Sequence, residues 1–322
     1  MVPAPPTSPQ APQAQPAPQA HQPLVSIVIP THDRPDYLTL ALDSAQTQTY
    51  QNLQIVISDN SGNDLAREAI ADRLAADPRI IFTTQTGGGF MENWFNALSH
   101  ATGDYVNFLM DDDLFAPNKI ERMVSYFTQY PSVRLVTSFR QLIDADGKPM
   151  AALPGTQRLF ENDTVLAGTS MSEFILKAGM NLIGEPTTAM YRRQDVGAGL
   201  GRFCDKQYSV LIDLSTWMEV MHGHHCVYIA EPLSFFRIHG GQDQRKTGTA
   251  LRANLEWLQL LLDGHESGRF FADKVAFREV LAGKLQALMP HLASHREDLR
   301  DNDFDTEHIL ALTRRAMRLL LQ

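Results

Sequence analysis

What most constrains this chain is a series of short apolar runs, each separated from the next by a stretch with helical spacing of apolar residues. The first run is Leu24-Val25-Ser26-Ile27-Val28-Ile29-Pro30, ended by a proline that suits a strand end and not a strand centre. Further runs lie at 53–58, 79–83, 105–110 and 133–138. Between them, Leu38, Ala41, Leu42 and Ala45 follow Pro35 at helical spacing. A helix is expected over about 64–76. Another carries Met91, Trp94, Phe95 and Leu98, and Pro117 opens one with Ile120, Met123, Val124 and Phe127 on one face. Strands alternating with helices predict an α/β fold with a parallel or mostly parallel sheet. Such sheets bind ligands at the carboxyl ends of their strands. Thr31, Asp59 and the triplet Asp111-Asp112-Asp113 all fall just past expected strand ends, so three polar clusters converge on one sheet edge.

Beyond residue 150 the pattern is less regular, with helices expected at 170–178 and 208–221 and a strand at 226–230. From 251 onward the chain reads as helical, with Leu255, Leu258, Leu262, Ile309, Leu312, Ala316 and Leu319 at apolar positions. Residues 1–22 hold seven Pro, five Gln and five Ala. They lack the basic and apolar regions of a signal peptide and are expected to be a disordered tail. No apolar run approaches the ~18–20 residues that span a bilayer. The expected division is therefore a tail (1–22), an α/β catalytic domain (23–245, with halves meeting at 140/141) and a helical C-terminal extension (246–322). With 322 residues, 43% of them hydrophobic, the chain can bury a sizeable core. The net charge of -9 argues against a general nucleic-acid binder, and no nucleic-acid partner is expected. Cys204 and Cys226 form no C-x-x-C pair and are expected to be buried, inert thiols.

Three adjacent carboxylates repel one another unless a positive group neutralises them. Mg2+ or Mn2+ would do so, because a hard cation takes carboxylate oxygens and shares phosphate oxygens readily. The plainer alternative is a solvated acidic loop ahead of Pro117.

The order and spacing of several segments resemble family 2 glycosyltransferases, which have the GT-A fold. Ser26-Ile27-Val28-Ile29-Pro30-Thr31-His32-Asp33-Arg34 is similar to the family's opening strand and turn. Gln54-Ile55-Val56-Ile57-Ser58-Asp59-Asn60-Ser61 is similar to its second strand and acidic turn. Ala101-Thr102-Gly103-Asp104-Tyr105-Val106, then Leu109-Met110-Asp111-Asp112-Asp113 and Pro117, resemble the approach to its metal motif. The likeness is strong over 24–135 and weaker over 180–243.

The resemblance implies a nucleotide-diphospho-sugar donor and a donor-binding set of Pro30, Thr31, Arg34, Asp59, Gly87, Gly88, Gly89, Asn93, Asp111 and Arg237. Asp59 would contact the base, the glycine run would admit backbone close to the donor, and Arg237 could pair with a phosphate. The metal ligands implied are Asp112, Asp113 and His239, with Mg2+ or Mn2+ as cofactor. Counting back from Pro117 puts Asp112 first. Met110 stands where many members carry an Asp, so the pair Asp111/Asp113 is the alternative register. For the base that deprotonates the acceptor, the family places an Asp near an aromatic residue on a helix. Asp213, four residues before Trp217, fits, with Glu185 as runner-up. Gly240 and Gly241, after His239, suggest a loop that closes over the donor.

His222, His224 and His225 are read as a helix end and turn, and Trp94 and Phe95 as core residues. Arg314, Arg315 and Arg318 beside an apolar face read first as charges favoured at a helix C-terminus, and second as a peripheral membrane contact. The first expected strand lacks the G-x-G-x-x-G turn of a nicotinamide dehydrogenase and the Gly-rich basic loop of a nucleotidyltransferase. The expectation is a metal-dependent, inverting transferase of bacterial surface polysaccharide assembly, with a glycan or lipid-linked acceptor. It would be cytoplasmic, at most peripheral at the inner face of the membrane. The alternative is a silent nucleotide-sugar-binding or scaffold protein of the same fold.

Overall fold

A computed structural model describes residues 22–196, 199–240, 249–294 and 306–322. Residues 1–21 of the expected tail, and Gly241, lie outside them. The first half runs β1 (Val25–Thr31), α1 (Pro35–Gln46), β2 (Leu53–Asp59), α2 (Leu65–Ala69), α3 (Ala71–Ala76), β3 (Ile80–Thr84), α4 (Phe90–Ser99), β4 (Tyr105–Phe108), β5 (Leu114–Phe115), α5 (Lys119–Gln129) and β6 (Val133–Ile143). The second half runs β7 (Thr164–Ala167), α6 (Gly168–Ala178), β8 (Met190–Arg192), β9 (Arg202–Phe203), β10 (Lys206–Gln207), α7 (Ile212–Met221), β11 (His225–Arg237), α8 (Thr249–Glu266), α9 (Lys274–Ser294) and α10 (Thr306–Leu321).

The main sheet has the order β3-β2-β1-β4-β8-β6-β11-β5, with β7 added on β11. β1, β2, β3 and β4 are mutually parallel. β8 enters antiparallel between β4 and β6, and β6 pairs parallel with β11. After β1 the chain builds outward through β2 and β3, then returns to the other side of β1 as β4. The strand order reverses there, and the crevice past the ends of β1 and β4 is where such a sheet receives a ligand.

Both sheet faces are covered, so the strands are apolar throughout instead of alternating with polar residues. Ile27, Ile29, Ile55 and Ile57 pack under α1 and α5. Val28, Val106 and Phe108 face the other way, toward α4, α6 and α7. That second core continues into the C-terminal helices through Leu251, Leu258, Leu262, Leu281, Leu312 and Ala316. The extension therefore shares its core with the sheet.

Four elements differ from expectation. The helix expected over 208–221 begins only at Ile212, after a non-helical segment held from α8. The helix expected over 64–76 breaks at Ile70, whose backbone leaves helical geometry while its side chain enters the core. β6 and β11 run longer than expected because they pair along their whole lengths. Pro232 cannot donate to that ladder and sits where its register shifts. Of the cysteines, Cys226 is buried, and burial pushes its thiol up to about 12. Cys204 is only partly buried, and burial also raises its thiol.

Candidate active site

The reversal of strand order brings Thr31 and Asp111 together across residues 80 apart in the chain. Thr31 ends β1, and its Oγ1 donates to Asp111 Oδ2 at 2.9 Å. The turn after β1 passes through Asp33 in the left-handed region (φ 51), which an aspartate tolerates better than most residues. Arg34 follows as the N-cap of α1, with Pro35 fixing the first turn. From there its Nη1 reaches Asp111 Oδ1 at 3.2 Å and Asp112 Oδ2 at 3.1 Å. His239 Nε2 lies 3.0 Å from the same Asp112 oxygen.

The members of the triplet have different surroundings. Asp111 and Asp112 line a cavity of about 870 Å3, and Asp113 does not. Asp113 is wholly buried, and accepts from Thr187 Oγ1 at 2.5 Å and from the Arg237 backbone N–H at 2.9 Å. Burial, then the charge of Asp112, holds its carboxyl well above the usual range. A metal role for Asp113, and the Asp111/Asp113 register, therefore do not match this arrangement: its two oxygens face protein donors. Burial and then the Asp112 charge push Asp111 up to about 6, against the opposing pull of Arg34 and Thr31. The cavity edge thus carries two carboxylates that both contact Arg34, with His239 beside Asp112.

Arg237 also lies off the cavity wall. It is 2% exposed, its Nε donates to the Asp112 carbonyl at 2.7 Å, and its Nη1 donates to the Asp144 and Ala145 carbonyls at 3.0 Å each. These bonds hold the backbone of the triplet and of residues 144–145. Asp59 is 3% exposed and is also off the wall, with Oδ1 engaged by the N–H and hydroxyl of Ser61. Its neighbour Asn60 lines the cavity. Gly88 and Gly89 line it as well, and Gly87 does not. Gly88 has φ +80, and a Cβ there would stand 2.9 Å from Glu92. The glycine keeps the turn tight enough for the Gly89 N–H to reach Glu92 Oε2 at 2.8 Å. Asn93 is on the wall. Its amide ties two strand ends together, donating to the Thr31 and Ser58 carbonyls at 3.1 Å each and accepting from Ser58 Oγ at 2.6 Å.

The opposite wall holds Glu185, Pro186, Ser209, Val210, Ile212 and Asp213. Gly184, at φ +105, packs so close to Thr188 that a Cβ would lie 2.4 Å from its Oγ1, and this sharp turn leads into Glu185. Glu185 is ion-paired with Arg140 Nε at 2.7 Å. Asp213 accepts from Asn181 Nδ2 at 2.8 Å and from the Leu214 N–H at 2.7 Å. Burial pushes its carboxyl up to about 7; the Leu214 bond opposes this, and the Glu185 charge adds to it. A carboxylate that exchanges its proton near neutrality is suited to general-base work.

Trp94 packs against the core as expected, its ring 5.6 Å from that of buried Phe108, and it also lines the cavity together with Phe90, whose ring is 5.8 Å away edge to face. The aromatic directly after the glycine run was the available signal. Asn181 and Thr187, which hold Asp213 and Asp113, carried no local signal. Of the C-terminal arginines, Arg315 is bound to Asp263 and Glu266 at 2.6 Å each, and so packs against α8.

Among the described residues, no three or more His, Cys, Asp or Glu side chains are grouped to hold a cation by themselves. Asp111 and Asp112 do offer hard carboxylate oxygen donors on the cavity wall. That fits the usual manner of Mg2+, held by one or two carboxylates with the remaining oxygens from phosphate and water.

Residues 26–196 match the family described as glycosyl transferase family 2. An uncharacterized glycosyltransferase of Rickettsia bellii is 33% identical over 128 residues, which is 39% of this chain and 18% of that protein. The chain thus matches under a fifth of that relative's length. Among solved structures, S. aureus TarS 1–349 in complex with UDP-GlcNAc aligns at TM-score 0.59 and 13% identity, covering 93% of this chain and 80% of TarS. The mannosyltransferase PcManGT of Pyrobaculum calidifontis, in complex with GDP-Man and Mn2+, aligns at TM-score 0.51 and 14% identity, covering 95% and 88%. At these identities the likeness concerns the fold, and it bears out the α/β GT-A expectation.

Proposed function

The chain belongs to glycosyl transferase family 2, and on that premise we propose that it transfers a sugar from a nucleotide-diphospho-sugar to an acceptor hydroxyl with inversion. The observation that carries this reading is the single cavity in which Arg34, Asp111 and Asp112 at the strand ends stand across from Asp213 and Glu185. Its volume of about 870 Å3 suits a sugar nucleotide.

The donor lies along Pro30, Thr31, Arg34, Gly88, Gly89, Asn93 and Asp111. Arg34 is already balanced against two carboxylates and is positioned to face a diphosphate. Asp59, Gly87 and Arg237 act behind this wall by shaping the turns that form it. Asp112, with Asp111 and His239 beside it, would hold Mg2+ or Mn2+. When bound, the ion supplies Lewis-acid stabilisation of charge on the departing diphosphate. Asp213 takes the proton from the acceptor hydroxyl, whose oxygen forms the new bond to the anomeric carbon. The bond from that carbon to the diphosphate oxygen breaks, and the nucleoside diphosphate leaves with the electron pair. Glu185 remains beside Asp213 and tunes it.

The acceptor is a glycan or lipid-linked glycan of bacterial surface polysaccharide assembly, and the enzyme works on the cytoplasmic side. None of the described helices is long and apolar enough to cross a membrane. Peripheral contact is supported by Leu310, Met317 and Leu321, which are exposed on α10 near Arg314 and Arg318.

A thermal-shift series with UDP, dTDP, GDP and CDP, with and without Mn2+, tests the donor site. Ligand at ~100 times its dissociation constant adds about 2.7 kcal/mol. Absence of metal-dependent stabilisation by all four would remove the basis for the proposal.

A further inference from the structure

The helix that carries Asp213 has no cap of its own. The N-cap residue of α7 is Leu211, which has no side-chain oxygen, and a helix start leaves backbone N–H groups to be satisfied from elsewhere. For the Leu211 N–H and the two N–H groups before it, the partner comes from α8. Glu256 Oε1 accepts from the Ser209 N–H at 2.8 Å and the Ser209 hydroxyl at 2.7 Å. Its Oε2 accepts from the Val210 N–H at 2.9 Å and the Leu211 N–H at 2.7 Å. One carboxylate thus gathers four donors from the three residues leading into α7. Two turns further along α8, buried Asp263 accepts from Lys206 Nζ at 2.6 Å and from the Tyr208 hydroxyl at 2.9 Å. The segment 206–211 is therefore fastened to α8 at two points.

This segment belongs to the cavity. Ser209 and Val210 line it, and Ile212 and Asp213 follow on the same wall. Asp213 makes its own bonds to Asn181 and Leu214, so Glu256 can act on it only through the backbone that starts the helix. Bonds to an ionised acceptor are stronger than neutral ones, and four on one carboxylate fix the loop in a single geometry. Catalysis is sensitive to such placement: a shift of ~1 Å can lower the rate about 100-fold.

We propose that Glu256 is a positioning residue of the active site: from the C-terminal helices it sets the backbone of residues 209–211, and with it the place of Asp213 and the acceptor wall. The inference rests on the reading of Asp213 as the base. It makes the helical extension a working part of the catalytic unit and gives the shared core a functional purpose.

The test uses the full chain and the slow hydrolysis of UDP-GlcNAc or GDP-mannose, in which water replaces the acceptor. In Glu256→Ala, kcat should fall about tenfold or more, while the donor KM stays within twofold, because β1, β2 and β4 build the donor wall without α8. Glu256→Gln keeps one acceptor oxygen and should fall between the two. A kcat in Glu256→Ala within twofold of wild type would overturn the proposal. So would a fall in kcat matched by a rise in donor KM, which marks general loss of structure. If Glu256→Ala does not fold by circular dichroism, the Gln variant decides, and wild-type kcat there overturns the role. Wild-type protein that hydrolyses neither sugar nucleotide and is stabilised by none of UDP, dTDP, GDP and CDP, with or without Mn2+, would overturn the functional reading and this inference with it.

Discussion

The two walls of the cavity are built in different ways. On the donor wall, Thr31, Asn60 and Asp111 stand at or just past the ends of neighbouring parallel strands, and hydrogen bonds between adjacent turns hold them. On the acceptor wall, Glu185 is held by Arg140, Asp213 by Asn181, and Ser209 and Val210 by Glu256, each partner coming from a different element. The sheet itself places the donor wall, whereas the acceptor wall depends on how separate helices and loops pack. Substitutions behind the donor wall should therefore weaken binding, and substitutions behind the acceptor wall should slow turnover.

The largest test of this contrast is Asp213→Asn. Turnover should fall by about 10²–10⁴-fold, the usual worth of a general base, with nucleotide binding retained. Unchanged turnover would move the base to Glu185 or elsewhere. The reverse outcome is expected from replacing Asp111 and Asp112 together by Ala. Mn2+-dependent stabilisation by the best nucleoside diphosphate, about 2.7 kcal/mol at ~100 times its dissociation constant, should vanish. Survival of that stabilisation would break the assignment of the donor wall.

The pH profile gives a smaller effect. As the proposed base, Asp213 can take a proton only when ionised, and its carboxyl is pushed up to about 7, first by burial. The rate should rise with pH through about 7 and fall by about tenfold per unit below it, as for one required deprotonation. A rate flat from pH 5 to 8 would argue that the base is a carboxylate in the ordinary range. The smallest expected change is in Glu185→Gln. Removing that charge, and releasing Arg140 from it, both favour ionised Asp213. The midpoint should move toward lower pH, by under about one unit, with the plateau rate within threefold. A collapse of the rate instead would make Glu185 the base.

The elements of the donor half were legible because each strand and helix there announces itself locally. Buried strands are continuous apolar runs, helices carry an apolar stripe, and Pro35 and Pro117 mark where helices begin. Residues past those strand ends could be named as a site before their contacts were known. Within the triplet, however, three identical side chains gave no local means of choosing. The choice came from Thr187 and Arg237, 74 and 124 residues away, which enclose Asp113 and leave Asp111 and Asp112 facing the cavity. Arg237 and Trp94 show the same limit. The arginine looked available to a phosphate and is buried against backbone carbonyls, whereas the tryptophan packs against the core as expected and reaches the cavity as well.

The sequence alone determined the alternation of strands and helices, and with it the sheet edge where polar residues gather, because burial on both faces demands a recognisable pattern of apolar residues. The tertiary structure decided which carboxylates face the ligand and which are enclosed. It also decided that Asp213 sits across from them and that α8 anchors the loop leading to it. Those outcomes depend on burial and on partners far apart in the chain, and the desolvation that raises Asp111, Asp113 and Asp213 arises only once the chain has closed around them.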